Sequence, residues 1–200
     1  APDWSDAIEC GGGLHGLLDG RGNGPLLSWS PSAVWLVAEV PADAHLVDLV
    51  GKVKVDRCVV AHVGDRLSAT GFLAEQGQVD GVVGAHVVAG DGGAATAGDY
   101  GTATAGDGGT VTAGYGGTAT AGDYGTATAG ERGTATAGER GTATAGYRGT
   151  ATAGERGTVI LAWWDSQLRR RRWVVGEVGI GIKADTPYRC EDGRLVEVER

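Results

Sequence analysis

The chain has 200 residues, with 17 basic and 25 acidic side chains and a formal net charge of −8 at pH 7. This length is enough for one or two small domains, and the acidic balance argues against nucleic-acid binding. There is no apolar run long enough to span a bilayer and no signal-peptide pattern at the N-terminus, so we expect no membrane partner.

Residues 1–85 predict a small α+β N-terminal cap. Residues 35–40 and 53–63 are rich in β-branched side chains, which is typical of strands, and residues 65–75 are typical of a short helix. Such a domain would cover the exposed strand edge of the repeats that follow it. The residues expected to pack it onto the first repeat are Val82, Val83, Val87 and Val88.

Four side chains of this region have the residue types of a zinc site, namely Cys10, His15, Cys58 and His62. Their Cys-x4-His and Cys-x3-His spacing is loose, and the alternative is buried cysteine with hydrogen-bonded histidine and no metal. Cys10 and His15 also have the types of a nucleophile–base pair, but no Asp or Asn can be assigned to orient the histidine. We favour the structural interpretation and expect no cofactor.

The glycine run of residues 11–13 has two interpretations. Backbone amides of such a run can cradle a phosphate, but the Gly-Lys-Ser/Thr ending of a P-loop is missing. Three consecutive glycines are more often a turn, which is the interpretation we favour.

The three cysteines, Cys10, Cys58 and Cys190, are odd in number and lie outside the repeats. This pattern fits reduced thiols better than a disulfide framework. We therefore expect a cytoplasmic protein.

An eight-residue repeat, Ala-Gly-x-x-Gly-Thr-Ala-Thr, fills the centre of the chain from about Ala89 to Ile160. Two glycines in every repeat argue against a helix, since each costs roughly 1 kcal/mol relative to alanine. Collagen is excluded because glycine does not recur at every third position and the segment lacks proline. Thr-x-Thr places two β-branched side chains on one strand face, and Ala-Gly-x-x-Gly supplies a turn. The repeat therefore predicts a β-solenoid.

One eight-residue repeat, or octad, is too short to form a complete turn of a solenoid. Two octads can form one turn, with two strands that lie back to back. We predict a mainly β protein with a squeezed, two-sided solenoid of sixteen-residue coils over residues 86–160. About 4.5 coils would extend roughly 21 Å at the ~4.7 Å strand spacing. Alanine is expected inside and threonine on both flat faces. The reverse, with buried threonine ladders and exposed alanines, stays open because stacked hydroxyls can bond to one another.

Residues 161–200 predict a C-terminal β cap with a hairpin over residues 187–198, turned at Asp192-Gly193. Trp163, Trp164 and Trp173 are expected to supply the bulk that an alanine core lacks. The arginine run of residues 169–172 could bind phosphate or an acidic partner. We favour the alternative that it keeps an exposed edge strand soluble.

The Ala113-Gly-Tyr-Gly-Gly-Thr-Ala-Thr-Ala121 segment resembles the sixteen-residue repeat of bacterial ice nucleation proteins, in both its turn and its strand. The resemblance implies that the Thr-x-Thr rows face solvent and order water, and that arginine-rich final coils support end-to-end assembly. The assembly candidates are Arg132, Arg140, Arg148 and Arg156. The binding candidates are Thr102, Thr104, Thr110, Thr112, Thr118, Thr120, Thr126, Thr128, Thr134, Thr136, Thr142, Thr144, Thr150 and Thr152.

A second resemblance runs through Cys10-Gly-Gly-Gly-Leu-His15 and the strands that follow. This segment is similar to uncharacterised bacterial and phage proteins that carry repeats of the same kind. The similarity implies no activity.

Together these patterns predict a non-enzymatic, capped solenoid that acts as a structural or surface-binding module, most specifically for ice or ordered water. Acidic turns precede arginine turns along the array, which predicts head-to-tail self-association. The alternative from another class is a toxin, effector or enzyme whose activity lies in residues 1–85, with the solenoid as a spacer.

Overall fold

A computed structural model describes residues 3–199. Residues 1, 2 and 200, the outermost residues of the predicted terminal caps, lie outside the described range. Within that range, no helix has the length and apolar character needed to cross a bilayer.

The N-terminal region contains two small antiparallel sheets and one helix. The three-stranded sheet has the order β1-β4-β3 and the two-stranded sheet pairs β2 with β5. The elements are β1 (Leu14–Gly16), β2 (Trp35–Glu39), β3 (Leu46–Asp48), β4 (Val53–Val55), β5 (Val59–Gly64) and α1 (Arg66–Glu75), with 3-10 turns at Leu18–Gly20 and Gly24–Leu26.

The helix begins where the sequence predicts it, because Asp65 caps its first turn. The Asp65 carboxylate accepts a hydrogen bond from the Ser68 amide at 2.8 Å, which satisfies one of the free N–H groups at a helix start. Hydrogen bonds from Ser68 also hold the pKa of Asp65 below its usual value.

The single strand predicted over residues 53–63 is wrong, since the chain forms β4 and β5 there in two different sheets. The break lies at Asp56, whose carboxylate accepts a hydrogen bond from the His45 amide at 3.0 Å. A local side-chain bond of this kind competes with the strand ladder and turns the chain.

The solenoid consists of two parallel sheets that lie back to back. Sheet I has the order β6-β8-β10-β12-β14 and sheet II the order β7-β9-β11-β13-β15. The strands are β6 (His86–Val88), β7 (Ala94–Ala97), β8 (Thr102–Ala105), β9 (Thr110–Ala113), β10 (Thr118–Ala121), β11 (Thr126–Ala129), β12 (Thr134–Ala137), β13 (Thr142–Ala145), β14 (Thr150–Ala153) and β15 (Thr158–Asp165).

The strand register confirms the sixteen-residue coil. Thr118 pairs with Thr134 in sheet I, whereas Thr126 pairs with Thr142 in sheet II. Each octad therefore stacks on the second octad before it, and the array makes about five turns.

The interior of the solenoid is a double column of alanine. Ala103, Ala119, Ala127 and Ala135 are fully buried, while the threonines on either side of each of them are not. The alternative with inward threonines is therefore wrong. Alanine lets the two sheets approach closely, and stability comes largely from the backbone ladder at about 0.5–1.5 kcal/mol per bond.

Three of the four valines predicted to pack at the start of the solenoid do so. Val82 and Val83 are buried at the start of the solenoid, and Val87 packs against its core. The prediction for Val88 is wrong, since 69% of the surface of this residue is exposed. The reason is strand alternation, because Val87 and Val88 are neighbours in β6 and must point to opposite sides.

Aromatic rings join the N-terminal region to one edge of the solenoid. The Trp29 ring lies 4.2 Å from the Tyr100 ring and 5.4 Å from the Trp35 ring. The Asp99 carboxylate accepts a hydrogen bond from the Gly24 amide at 3.0 Å. Burial in this contact raises the pKa of Tyr100.

The C-terminal cap continues both sheets with strands that reverse direction. β16 (Arg170–Val178) pairs antiparallel with β15 and is followed by β17 (Gly181–Ile182). β18 (Tyr188–Glu191) and β19 (Arg194–Glu197) extend sheet I. The turn predicted at Asp192-Gly193 is confirmed, with φ values of 46° and 81°.

Two of the three tryptophans predicted to fill this cap do not do so, whereas the partly buried Trp163 packs against Gly193 of the hairpin turn. Trp164 and Trp173 are 48% and 57% exposed, and the buried side chains include Leu161, Val178 and Tyr188. The pairing of β15 with β13 ends at Leu161. Residues 162–165 therefore lie beyond the width of the coil, where Ala162 is buried but Trp164 is exposed.

The last glycine of each turn, which directly precedes a strand, is expected to tolerate no side chain; Gly133 is an example. A Cβ atom at Gly133 would lie 2.8 Å from the Gly117 carbonyl oxygen of the preceding coil and 2.8 Å from the Ala129 Cβ. We expect Gly133→Ala to lower the unfolding temperature by several degrees, because both neighbours are fixed. The control is Gly71→Ala in α1, where a Cβ meets nothing within 4 Å. That variant should be neutral or stabilising. Equal melting temperatures for both variants would contradict the tight corner.

Candidate functional site

The Thr-x-Thr rows lie on two opposite outer faces of the solenoid. Every threonine predicted from the sequence has its side chain on one of these faces and none is buried. Face I, on sheet I, carries Thr102/Thr104, Thr118/Thr120, Thr134/Thr136 and Thr150/Thr152. Face II, on sheet II, carries Thr110/Thr112, Thr126/Thr128 and Thr142/Thr144.

The rows form a regular two-dimensional array. Threonines two residues apart along a strand are separated by ~6.6–7 Å, and rows in adjacent coils by ~4.7 Å. Within residues 3–199, none of these hydroxyl groups forms a hydrogen bond with another protein group. Each row therefore presents free donors and acceptors to whatever lies on the face.

Sequence analysis missed two members of face II, Thr96 and Thr158. Thr96 pairs in register with Thr112, and Thr158 pairs with Thr142. Their octads deviate at the other threonine position, which is Ala94 in one and Ile160 in the other. Both residues lie sixteen positions from a predicted threonine, so the coil length alone was enough to predict them.

The two faces differ in what lies at their C-terminal end. On face II, Ile160 pairs with Val175 of β16, so both side chains lie on the same side of the sheet. Val175 and Trp173 are both more than half exposed there. Face I keeps four complete threonine rows, whereas face II has three and then becomes apolar.

The turns form two edges between the faces. Edge 1 contains residues 98–101, 114–117, 130–133 and 146–149, and edge 2 contains residues 90–93, 106–109, 122–125, 138–141 and 154–157. In each turn the first glycine carbonyl accepts a hydrogen bond from the last glycine amide, as between Gly130 and Gly133 at 3.1 Å.

Aspartates in these turns join successive coils, which the sequence did not predict. On edge 2, Asp91, Asp107 and Asp123 each accept a hydrogen bond from the backbone amide sixteen residues later, at 2.8–3.1 Å. On edge 1, Asp99 does the same for Tyr115 at 2.8 Å. Among the described turns that carry glutamate in this position, none forms such a bond, and the Glu131 carboxylate bonds to Arg171 instead.

The four arginines predicted for assembly are split between the two edges. Arg132 and Arg148 lie on edge 1, with their guanidinium groups 5.8 Å and 5.1 Å from the Tyr115 and Tyr147 rings. Arg140 and Arg156 lie on edge 2. All four have φ between 55° and 60°, a left-handed conformation that favours glycine.

The edge 2 arginines contact acidic and aromatic side chains, and the Arg140 guanidinium lies 5.6 Å from the Tyr124 ring and 3.7 Å from the Glu139 carboxylate. Arg140 donates a hydrogen bond to the Tyr124 hydroxyl at 3.2 Å, and Arg156 lies 3.9 Å from the Glu139 carboxylate. Both arginines are exposed. Their guanidinium groups are therefore accessible along an open edge.

The zinc candidates are not gathered into a metal site. Within the described part of the chain, no group of three or more His, Cys, Asp or Glu side chains is placed to hold a metal ion. The Lys52 ammonium donates to the Cys10 thiol at 3.0 Å, and His62 bonds to the Ser68 hydroxyl at 3.1 Å and stacks on Phe72. His15 and Cys58 both line one cavity, considered below.

The glycine run of residues 11–13 packs against a buried lysine and does not form an anion-binding loop. Lys54 is fully buried, and its ammonium donates to the carbonyls of Ala7, Glu9 and Gly11 at 2.7–3.3 Å. A Cβ at Gly13 would lie 2.7 Å from the Lys54 side chain. Sequence analysis missed this lysine because its two valine neighbours indicate only a strand.

Known proteins match this chain over its repeats. A 72-residue segment, 36% of the chain, is 42% identical to an ice nucleation protein of Pseudomonas syringae. Similar matches are found to an ice nucleation protein of Pseudomonas fluorescens, at 37% over 73 residues or 36% of the chain, and to ice nucleation protein InaU of Pantoea ananas, at 36% over 90 residues or 44% of the chain. The repeat segment is similar to ice nucleation proteins.

The match covers a small part of those relatives. The chain spans 6% of the length of the two Pseudomonas proteins and 9% of the Pantoea protein. No protein-family profile matches the chain. No solved structure matches it either.

The aspartate bonds between coils are expected to stabilise the array. We expect Asp107→Ala to lower the unfolding temperature by about 2–4 °C, because the Asp123 amide loses its acceptor. The matched control is Glu155→Ala on the same edge, which removes a carboxylate that forms no such bond. Calorimetry of both variants checks the prediction. An equal loss in both variants would show that turn charge, and not the hydrogen bond, is responsible.

Proposed function

We propose that this chain is a non-catalytic solenoid whose threonine faces bind ice or another ordered water lattice. The observation that supports the proposal is the flat array of hydroxyl groups without protein partners. The similarity of the repeat segment to ice nucleation proteins supports the same ligand class.

The physical argument is multivalency on a periodic surface. A single exposed hydroxyl binds water weakly, but many hydroxyls held at one pitch engage a lattice together once the first row has docked. The alanine core holds these side chains on short, rigid strands, so little conformational entropy is lost on binding. A small flexible ligand would gain nothing from this regularity.

Face I is the better candidate of the two. It has four complete rows and no exposed tryptophan at its C-terminal end, and its exposed apolar residue is Val88 beside Thr104 at the N-terminal end. On face II, the exposed Trp173 and Val175 follow the threonine rows and would interrupt contact with a flat surface. We therefore assign the primary binding role to face I.

The size of the array limits the proposed activity to binding. The relatives are more than ten times longer than the matched segment, since that segment spans 6–9% of their length. Four rows offer a small template, so we propose adsorption to an existing ordered surface rather than nucleation by a single molecule.

Leucine substitutions on each face test this assignment. We expect Thr118→Leu with Thr134→Leu to abolish thermal hysteresis and inhibition of ice recrystallisation, because two central rows lose hydroxyls while strand propensity is kept. The matched control, Thr126→Leu with Thr142→Leu, makes the same change on face II and should retain most of the activity. Circular dichroism should be unchanged in both.

The reverse pattern would assign the activity to face II. An inactive parent chain would remove the ice-binding proposal. The remaining alternative would then be an activity in residues 1–85, with the solenoid as a spacer.

We also propose weak head-to-tail self-association along edge 2. Edge 1 is partly covered, since Trp29 contacts it from the N-terminal region and Arg171 bonds to Glu131 from the C-terminal cap. Edge 2 starts with acidic turns at Asp91 and Asp107 and ends with the exposed Arg140 and Arg156. A neighbour shifted along the axis would place its arginines against these aspartates. This contact extends in a line and does not close.

Salt and arginine substitutions test this contact. We expect an oligomer at low salt and a monomer at 1 M salt, since the Debye length falls from ~10 Å at 0.1 M to ~3 Å at 1 M. Arg140→Gln with Arg156→Gln should also give a monomer. The control, Arg132→Gln with Arg148→Gln, removes the same charge from edge 1 and should leave the oligomer. Light scattering decides, and one monomer mass under all conditions would disprove the association.

A further inference from the structure

The N-terminal region contains a large cavity that is open to solvent on one side and has mainly apolar walls. It lies between the β1-β4-β3 sheet, the β2-β5 sheet and α1, and its volume is about 820 Å³. Small-molecule sites have volumes of about 300–1,000 Å³ and mainly apolar walls. The lining of this cavity includes Leu14, Leu36, Val53, Val60 and Leu73.

The protein's own side chains leave this space unfilled. Leu14, Leu36 and Val60 all line the cavity, yet each remains about half exposed. Apolar surface left in contact with water forgoes about 25 cal/mol per Å² of stabilisation. Concave apolar surface of this extent in a small domain is typical of a binding site.

The charges of the lining restrict the ligand. Asp19 and Glu39 line the cavity, and no lysine or arginine among residues 3–199 does. The nearby Lys54 directs its ammonium to the carbonyls of residues 7, 9 and 11 instead. An anion would therefore enter an apolar space without a counter-charge, which is unfavourable.

Uncharged polar side chains such as Ser28 and Trp35 line the cavity and can hydrogen-bond to a ligand. The His15 ring does not serve in this way, because His15 pairs with Lys54 and its side chain therefore lies on the opposite face of the sheet from Val53.

We propose that this cavity binds a neutral, mainly apolar small molecule. The site is separate from the threonine faces and does not depend on their function. It gives residues 1–85 a binding role besides covering the end of the solenoid.

Two matched fluorescent probes test the class of ligand. N-phenylnaphthylamine is neutral, and anilinonaphthalene sulfonate has the same ring system with an added anion. We expect the full-length chain to bind the neutral probe saturably at one site, and the sulfonate at least about tenfold more weakly. Equal or tighter binding of the sulfonate would contradict the proposed ligand class.

Tryptophan substitutions test the location. Val60→Trp places a large ring in the cavity and should raise the Kd of the neutral probe about tenfold or more. The matched control is Val63→Trp on the same strand, since Val63 is exposed but does not line the cavity. Val60→Trp could fail because it destabilises the fold, which a lower melting temperature than that of Val63→Trp would reveal. In that case Leu36→Trp, which fills the cavity from β2, serves as the test variant.

Three results would overturn the proposal. One is the absence of saturable binding. Another is binding that Val60→Trp and Leu36→Trp leave unchanged, which would place the probe elsewhere on the protein. The third is a dimer, seen by light scattering without probe and dissociated by Val60→Trp, since a second copy would then be the occupant of the cavity.

Discussion

The close approach of two sheets across an interior made mainly of alanine is the constraint on which the solenoid depends. Only a few larger apolar side chains, such as Val111 and Val159, share this interior, and the alternate residues of each strand point outward. This close approach also brings each corner to within contact distance of the coil before it, as the space around Gly133 illustrates. The outer threonines, the corner glycines and the need for terminal caps all follow from this one dimension.

A thin core cannot supply stability in the usual way, so hydrogen bonds between coils take over part of that role. The backbone ladder is continued through the turns, where the Tyr124 amide donates to the Glu139 carbonyl of the next coil at 2.7 Å. Aspartate adds a second bond per turn in the early coils. The later coils replace it with Glu-Arg pairs and place arginine in a backbone conformation that suits glycine. Early turns carry glycine at the same position, at Gly92, Gly108 and Gly116. Arginine is therefore not required by the turn, and its side chain accounts for its presence.

The sequence was informative where one local pattern recurs and uninformative where the fold is built from single contacts. Closure of two octads predicted both the coil and the outward threonines, since strand alternation leaves no other arrangement around an alanine core. The N-terminal region has no recurring pattern. There, one carboxylate at Asp56 divides a predicted strand, and the buried Lys54 organises the glycine run. Trp164 and Trp173 were misplaced because hydrophobicity alone does not reveal that β15 extends past the width of the core. The candidate faces could be located from the sequence, whereas the cavity could not, because its walls come from five separate elements.

The alternation of octads between the two sheets has a consequence for length variants of this chain. Inserting or deleting one octad would exchange face I with face II, and edge 1 with edge 2, for everything that follows. Trp29 would still reach edge 1 through Tyr100, but Arg171 would then approach the opposite edge from Glu131, and β18 would meet sheet II in place of sheet I. Natural or engineered arrays of this type should therefore change length in steps of sixteen residues. Such steps keep each terminal cap on the same sheet and beside the same edge.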